Sequence, residues 1–353
     1  MVYADCPFCD DRRGKMGLYP EINTWRCWHC GQSGGMLPLY GRVHGVSNSV
    51  AYREICDTLA LDGFSPDPAP VPVCRAEGPS VQGTPSDRAP EQEIHRTLTA
   101  LLSLLTLTPE HREHLRSVRG LTDEDIERFG FKSTPPSQKC RPLTESLIRQ
   151  GCRVRGVPGF YVNDYGKWTV KFYTRTSGIL IPLRGVDGLL HGLQIRLDHP
   201  IRDDNDPPDK QGAKYLPLTS TGKSQGVSSG CPIHFVGDPN ARVIYVTEGA
   251  LKADIVHALT GRTFIATMGA SNPNGLDELF SFLYRNGTEE IIEAEDMDKF
   301  CNPNVSRGAS KVHLLAAKHG LACRQLVWNP AYKGIDDWQL ALRREKESGA
   351  APH

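Results

Sequence analysis

RVIYVTEGALKADIVHAL, residues 242–259, opens with a run of apolar and β-branched residues and breaks at Glu248-Gly249. It then resumes with Ala250, Ala253, Val256 and Leu259 at helical spacing. A continuous apolar run of this length reads as a strand buried on both faces, and the recurring residues after it as one face of a helix. The same alternation continues outward. TFIATMGA (263–270) is a second strand, LDELFSFLYRNG (276–287) a helix and EEIIEAEDMD (289–298) a third strand. ASKVHLLAAKHG (309–320) is a further helix and ACRQLVW (322–328) a fourth strand. Strands alternating with helices in this way predict a parallel sheet covered by helices on both faces.

Such sheets gather chemistry at the carboxyl ends of their strands. Glu248 falls at the end of the first strand, and Glu293, Glu295, Asp296 and Asp298 crowd the end of the third. Asp336 and Asp337, in GIDDW, follow the fourth. Any one of these acids alone reads as a solvated surface group. Several at neighbouring strand ends suit magnesium, which takes a few carboxylates and fills its remaining positions with water and substrate phosphate. Glu248 is placed to bind the ion or to act as a general base. Gly308 and Ser310 are expected to open the next helix, whose N-terminus would favour phosphate.

The first 30 residues carry a different signal. Cys6 and Cys9 in CPFC, and Cys27 and Cys30 in CWHC, form two C-x2-C pairs separated by 17 residues. Two such knuckles read as a structural zinc site with all four positions closed by thiolate. The other seven of the eleven cysteines are scattered and read as ordinary thiols. Arg12, Arg13, Lys15, Arg26, Trp25 and Trp28 surround the knuckles, a mixture suited to stacking bases and pairing phosphates of single-stranded nucleic acid. One tryptophan is equally expected to fill the small ribbon core.

Between these ends, residues 61–91 are rich in Pro, Gly and Ser and predict an extended, disordered linker. Residues 92–135 predict helices, one of them capped by Thr122 and stopped at Gly130. Residues 136–240 read as β-rich. Net charge over the whole chain is zero, but the stretch 139–226 holds 14 Lys/Arg against 8 Asp/Glu, a basic region that could meet a polyanion. The N-terminus lacks a basic-then-apolar leader, and no apolar run approaches the ~20 residues of a membrane span, so the expected location is the cytoplasm.

The Glu-Gly after one strand and the Asp-x-Asp after a later one resemble a TOPRIM domain. An N-terminal zinc ribbon, a basic β-rich region and then TOPRIM is the order of DnaG-type bacterial and phage primases. The similarity covers about 60 N-terminal residues and most of 180–340. It implies a zinc ribbon with its following helix over 1–60, a linker over 61–91, a helical segment over 92–135, a basic subdomain over 136–240 and a TOPRIM domain over 241–353. It also implies Glu248, Asp296 and Asp298 as catalytic carboxylates, with Asp336 and Asp337 as further magnesium ligands. Lys214, in AKYLPLTSTGKS, and Arg196, in HGLQIRLD, would hold template or nucleotide. Four cysteines match the type of some phage primases, whereas bacterial relatives carry Cys-His-Cys-Cys, and GIDD lacks the D-x-D spacing of the bacterial proteins.

The function so implied is synthesis of RNA primers from ribonucleoside triphosphates on single-stranded DNA, with zinc and magnesium, in replication of a phage or mobile element. No phosphate-binding P-loop occurs in the sequence, so a separate replicative helicase is the expected partner, docking on the helical segment or on the tail from Asp336. The rival readings are a TOPRIM nuclease and a catalytically inactive nucleic-acid-binding protein.

Overall fold

The computed structural model describes residues 2–9, 12–20, 23–30, 32–61, 86–202, 212–269 and 275–348. The chain divides into two compact units, Met1–Arg75 and Ala76–His353.

The first unit is an antiparallel sheet of β1 (Val2–Ala4), β2 (Met16–Tyr19), β3 (Thr24–Cys27) and β4 (Ser33–Gly35), in that spatial order. Strand alternation turns Trp25 and Cys27 inward and Arg26 outward. Trp25 packs with Cys6, Met16, Cys27 and Leu39, so this tryptophan fills the ribbon core. Helices α1 (Met36–His44) and α2 (Asn48–Leu61) follow. Ser47 precedes α2, and the Val50 N–H donates to its Oγ at 3.4 Å.

The expected linker over 61–91 lies outside the described residues from 62 to 85. Its last residues differ from the expectation: they are folded against the second unit. The Ala89 N–H donates to the Gly156 carbonyl at 2.8 Å, and Ala89 is buried. Arg88 Nη2 donates to the His191 carbonyl at 3.0 Å. Composition alone did not reveal these anchors, which lie far away in sequence.

The second unit opens with α3 (Glu91–Ser103), α4 (Pro109–Glu113), a single π turn over His114–Val118 and α5 (Asp123–Phe129). Thr122 caps α5 in a reciprocal pair with Asp125, and Gly130 stops it in the left-handed region at φ 77°. β5 (Lys132–Ser133) and α6 (Cys140–Arg149) come next, then a small hairpin of β6 (Phe160–Val162) and β7 (Trp168–Val170). β8 (Gly178–Arg184), β9 (Leu190–Ile201) and β10 (Ala213–Pro217) complete an antiparallel sheet ordered β10-β9-β8-β5.

β8 explains why GILIPL lacks polar alternation: both of its faces are covered. Leu180 joins the core beneath α3 and α6, while Ile179, Ile181 and Leu183 meet α5 and α7.

The last sheet contains β11 (His234–Val236), β12 (Val243–Glu248), β13 (Thr263–Thr267), β14 (Glu290–Glu293) and β15 (Ala322–Gln325). Its order is β11-β13-β12-β14-β15, with α7 (Ala250–Thr260), α8 (Leu276–Arg285), α9 (Pro303–Lys318) and α10 (Ile335–Ser348) between or after the strands. β12 to β15 are parallel, as the sequence predicts, and β11 adds an antiparallel edge on β13. The expected boundary at 240/241 therefore cuts this sheet. One face packs on α8 and α9 and the other on α7 and α10.

From β12 the chain crosses to β13 on one side and then to β14 on the other. The carboxyl ends of β12 and β14 thus flank a topological switch point, where open α/β sheets hold their ligands. None of the helices is long and apolar enough to cross a membrane among the described residues.

Candidate active site

Glu248 ends β12, and Gly249 makes the sharp turn into α7 at φ 87°, a backbone angle that a side-chain-bearing residue adopts only with strain. The Gly249 N–H donates to the Thr267 carbonyl at 2.9 Å, which fixes the strand end. Across the switch point β14 ends at Glu293, and the Ala294 N–H continues the ladder to the Val246 carbonyl at 2.8 Å. The segment 294–298 is therefore held beside Glu248. A further backbone bond, Met297 N–H to Lys333 carbonyl at 2.9 Å, brings in the KGIDD segment.

The crowded acids divide into two jobs. Glu293 is fully buried and takes the Lys299 ammonium on both oxygens, at 2.9 and 3.0 Å. It also accepts the Glu295 N–H at 2.6 Å, so it braces the loop from beneath. The remaining carboxylates, Glu248, Glu295, Asp296 and Asp298, stay within electrostatic reach of one another. Burial raises the Glu248 pKa, Lys252 opposes the shift, and Asp296 and then Asp298 add to it. Burial, followed by the Glu248 charge, pushes Glu295 up to about 8.

Two ammonium groups already answer this negative charge. Lys252, one turn into α7, is ion-paired to Asp296. Burial works against its charge, but Asp296, Asp336 and Glu248 outweigh that and raise its pKa. Lys333 pairs with Asp298 at 2.8 Å and stands 4.0 Å from Asp296. Its own pKa is raised, first by the bond to Asp298. The sequence reading missed both lysines. The visible signals were a lysine four residues after Glu248 and another just before GIDD.

Asp336 and Asp337 lie in different surroundings. Asp336 is buried in the first turn of α10, where Arg119 reaches it at 3.4 Å. Burial raises its pKa, opposed chiefly by Lys252. Asp337 is exposed. Gly334 keeps the approach open: a Cβ there would collide with the Asp336 carboxylate and lie 3.2 Å from Lys252 Cε.

Two carboxylate oxygens here are open to a cation. Glu295 Oε2 and Asp298 Oδ1 are buried with no hydrogen-bond partner among the described residues. Unsatisfied buried carboxylate oxygens are costly, and a cation would satisfy them. The carboxylates do not stand as a ready three-ligand set among the described residues, since the lysines are interleaved with them.

Arg196 and Lys214 are less closely tied to this site. Arg196 pairs in register with Tyr215, directly after Lys214 at a bulge between β9 and β10. Arg196 and Arg119 both act on half-buried His114, whose pKa falls to about 4, burial being the larger cause. Lys214 is exposed, and nothing among the described residues ties it to the carboxylates. Gly308 and Ser310 also differ from expectation. They lie inside α9, which begins at Pro303, so they do not form a helix N-terminus.

In the first unit the four knuckle thiols converge. Cys6 and Cys30 Sγ are 3.9 Å apart, as are those of Cys9 and Cys27, and all four lie within 4.8 Å of one another. Tetrahedral zinc with Zn–S of ~2.3 Å requires sulfurs at about this spacing. Backbone N–H groups, that of Cys30 first, lower the Cys27 pKa to about 7 and favour its thiolate, although burial opposes them. Trp28 is exposed, with the Arg26 guanidinium 4.5 Å from its ring centroid.

No family model matches the chain. It is 25% identical over 160 residues to a DNA primase of Thermotoga maritima, a stretch covering 43% of this chain and 26% of that protein. The chain thus matches about a quarter of that relative's length. In fold it resembles the zinc-binding and RNA polymerase domains of the Aquifex aeolicus primase, with a TM-score of 0.51 at 15% identity, over 98% of this chain and 78% of that one. The RNA polymerase domain of Mycobacterium tuberculosis primase DnaG, crystallised with double-stranded DNA, matches with a TM-score of 0.50 at 18% identity, over 72% and 79% of the two chains. The chain is similar to DnaG-type primases in sequence and in fold.

Proposed function

We propose that this chain is a DNA primase that joins ribonucleotides into short RNA primers on a single-stranded DNA template. One observation carries the reading: Glu248 and the Asp296–Asp298 segment meet at the switch point of a DnaG-like fold, and Glu295 and Asp298 in that loop each have a buried carboxylate oxygen without a partner. The four-thiol ribbon on the same chain supports it.

In this reading Glu248, Asp296 and Asp298 hold magnesium, with Glu295 and Asp336 near them. Bound there, the ion would supply positive charge to the triphosphate and lower the pKa of the attacking hydroxyl. Glu293 and Lys299 hold the acidic loop rigid. Gly334 leaves room for Lys252 and Asp336 to keep their positions. Arg119 and Arg196 set positive charge along one side, where a phosphate backbone or a triphosphate would be neutralised. Lys214, on the exposed strand β10, would meet template farther out. Zinc, held by Cys6, Cys9, Cys27 and Cys30, keeps the ribbon folded so that Arg26 and Trp28 can present a stacking surface to template bases.

A separate helicase would supply unwound template. α10 is a poor candidate for its docking tail, because Leu340 is buried against α7 and α5. The reading places the reaction in the cytoplasm, in replication of a phage or mobile element.

Incubating the protein with single-stranded DNA, labelled ribonucleotides and magnesium tests the proposal. Short labelled RNA supports a primase. Cut template would favour a nuclease, and template binding without either product would favour a binding protein that has lost catalysis.

A further inference from the structure

Lys252 and Lys333 both pair with the acidic loop, yet they are held very differently. The Lys252 side chain is 15% exposed and its partner Asp296 11% exposed. Besides Asp296, it faces Asp336 and Glu248, so acids from three separate segments surround one ammonium group. It rises from the first turn of α7, just after the Gly249 turn, and moving it to solvent would leave Asp296 unpaired. Lys333 is 65% exposed, sits on the connection before α10 and touches only the outer acid Asp298 closely. An exposed pair of this kind is weak and exchanges readily with other cations.

Sites that transfer nucleotidyl groups with two metal ions place the ions ~3.5–4 Å apart, each neutralising part of a carboxylate cluster. Here a fixed ammonium already occupies the inner part of the cluster. Ion pairs from Lys252 to Asp296 and from Lys333 to Asp298 already answer two of these acids, and a divalent ion would have to bind beside them. The partnerless oxygens, Glu295 Oε2 and Asp298 Oδ1, identify where such an ion would find ligands.

We propose that Lys252 is a built-in cation that permanently takes one of two cation positions, so that the acidic site binds a single divalent ion, and that Lys333 is the exchangeable counter-ion this ion displaces. The inference rests on the reading of this cluster as a metal site. Lys252 is a positioning residue: it holds Asp296 and Asp336 and limits the number of ions, while Lys333, once released, is free to meet a phosphate.

The test is a titration of the zinc-loaded full-length protein with Mn2+ alone, with free ion counted by electron paramagnetic resonance. The wild type is expected to bind one strong Mn2+ and Lys252→Gln two. Lys333→Gln should bind one ion more tightly, by about fivefold at most, since it removes only a weak competing pair. Two strong ions on the wild type would overturn the proposal, as would one ion of unchanged affinity on Lys252→Gln. The wild-type count needs no variant, so it decides even if Lys252→Gln fails to fold. Absence of Mn2+ from a folded, zinc-loaded wild type would instead remove the metal-site reading itself, and the proposal with it.

Discussion

Lys252 is ion-paired to Asp296 inside the acidic site, and the pair joins α7 to the loop after β14. The contact spans 44 residues of sequence, so it fixes the geometry of the switch point as well as its charge. Its counterpart, Lys333 on Asp298 at 2.8 Å, is solvated on the lysine side. The two aspartates are one residue apart in sequence but answer to different lysines in different environments. They should therefore fail differently when mutated.

Asp296→Asn leaves the buried Lys252 ammonium with Asp336 and Glu248 alone. Thermal stability should fall, by less than the ~3–5 kcal/mol of a fully orphaned buried charge. Asp298→Asn breaks a solvated pair and should change stability by no more than ~1 kcal/mol. Urea midpoints in magnesium-free buffer distinguish the two. Equal losses would show that the burial difference carries no weight.

Glu295 gives a pH dependence of definite sign. Its folded pKa is raised to about 8, so between the ordinary carboxylate range and pH 8 the folded state holds more protons than the unfolded one. Stability of the second unit should therefore decline as pH rises through this window, by at most about 1.4 kcal/mol per unit. Glu295→Gln should flatten the slope and gain stability at pH 8. A slope identical to the wild type's would mean that this carboxyl ionises normally.

Gly334→Ala should be mild for folding and severe for function. The added Cβ meets the ends of the Asp336 and Lys252 side chains, which can shift, so a stability change of about 1 kcal/mol is expected. The same shift moves both groups in the site, so primer yield should fall far more than stability does. Full activity in the alanine variant would show that Asp336 and Lys252 need not keep their positions.

Removing zinc should unfold only the ribbon. Structural zinc contributes ~10–16 kcal/mol of apparent binding energy in small fingers, more than a core of Met16, Trp25 and Leu39 can replace. Chelation should collapse the dispersed amide resonances of residues 2–61 and leave those of 86–348 in place. One zinc per chain is expected in freshly reduced protein, and metal analysis showing none would dismiss the site.

Much of this arrangement was legible in the sequence because period and punctuation survive in it. The alternation around RVIYVTEGALKADIVHAL set out the parallel strands, and strand ends located Glu248, Asp296 and Asp298. The spacing of the knuckles located the thiols. What escaped depends on contacts between distant segments. Lys252 and Lys333 are ordinary helix and loop lysines until folding places them against carboxylates. The separate fates of Glu293 and Glu295 follow from which side of the loop each faces, and Lys299 decides that. β11 is three residues long and shows no alternation to read. The start of α9 was misplaced because a proline in Asn-Pro-Asn reads equally as a turn or as the first residue of a helix.

The central claim is that the Glu248–Asp296–Asp298 cluster is the catalytic centre for primer synthesis. Its most direct test is ribonucleotide incorporation on single-stranded DNA by the wild type and Asp298→Asn, measured beside template affinity. Asp298 is the right acid to change, because its loss should spare the fold. The expected result is labelled short RNA from the wild type, a loss of at least ~100-fold in the variant, and template binding within about twofold. Primer synthesis by Asp298→Asn at the wild-type rate would contradict the claim and leave the crowded acids as a charged turn.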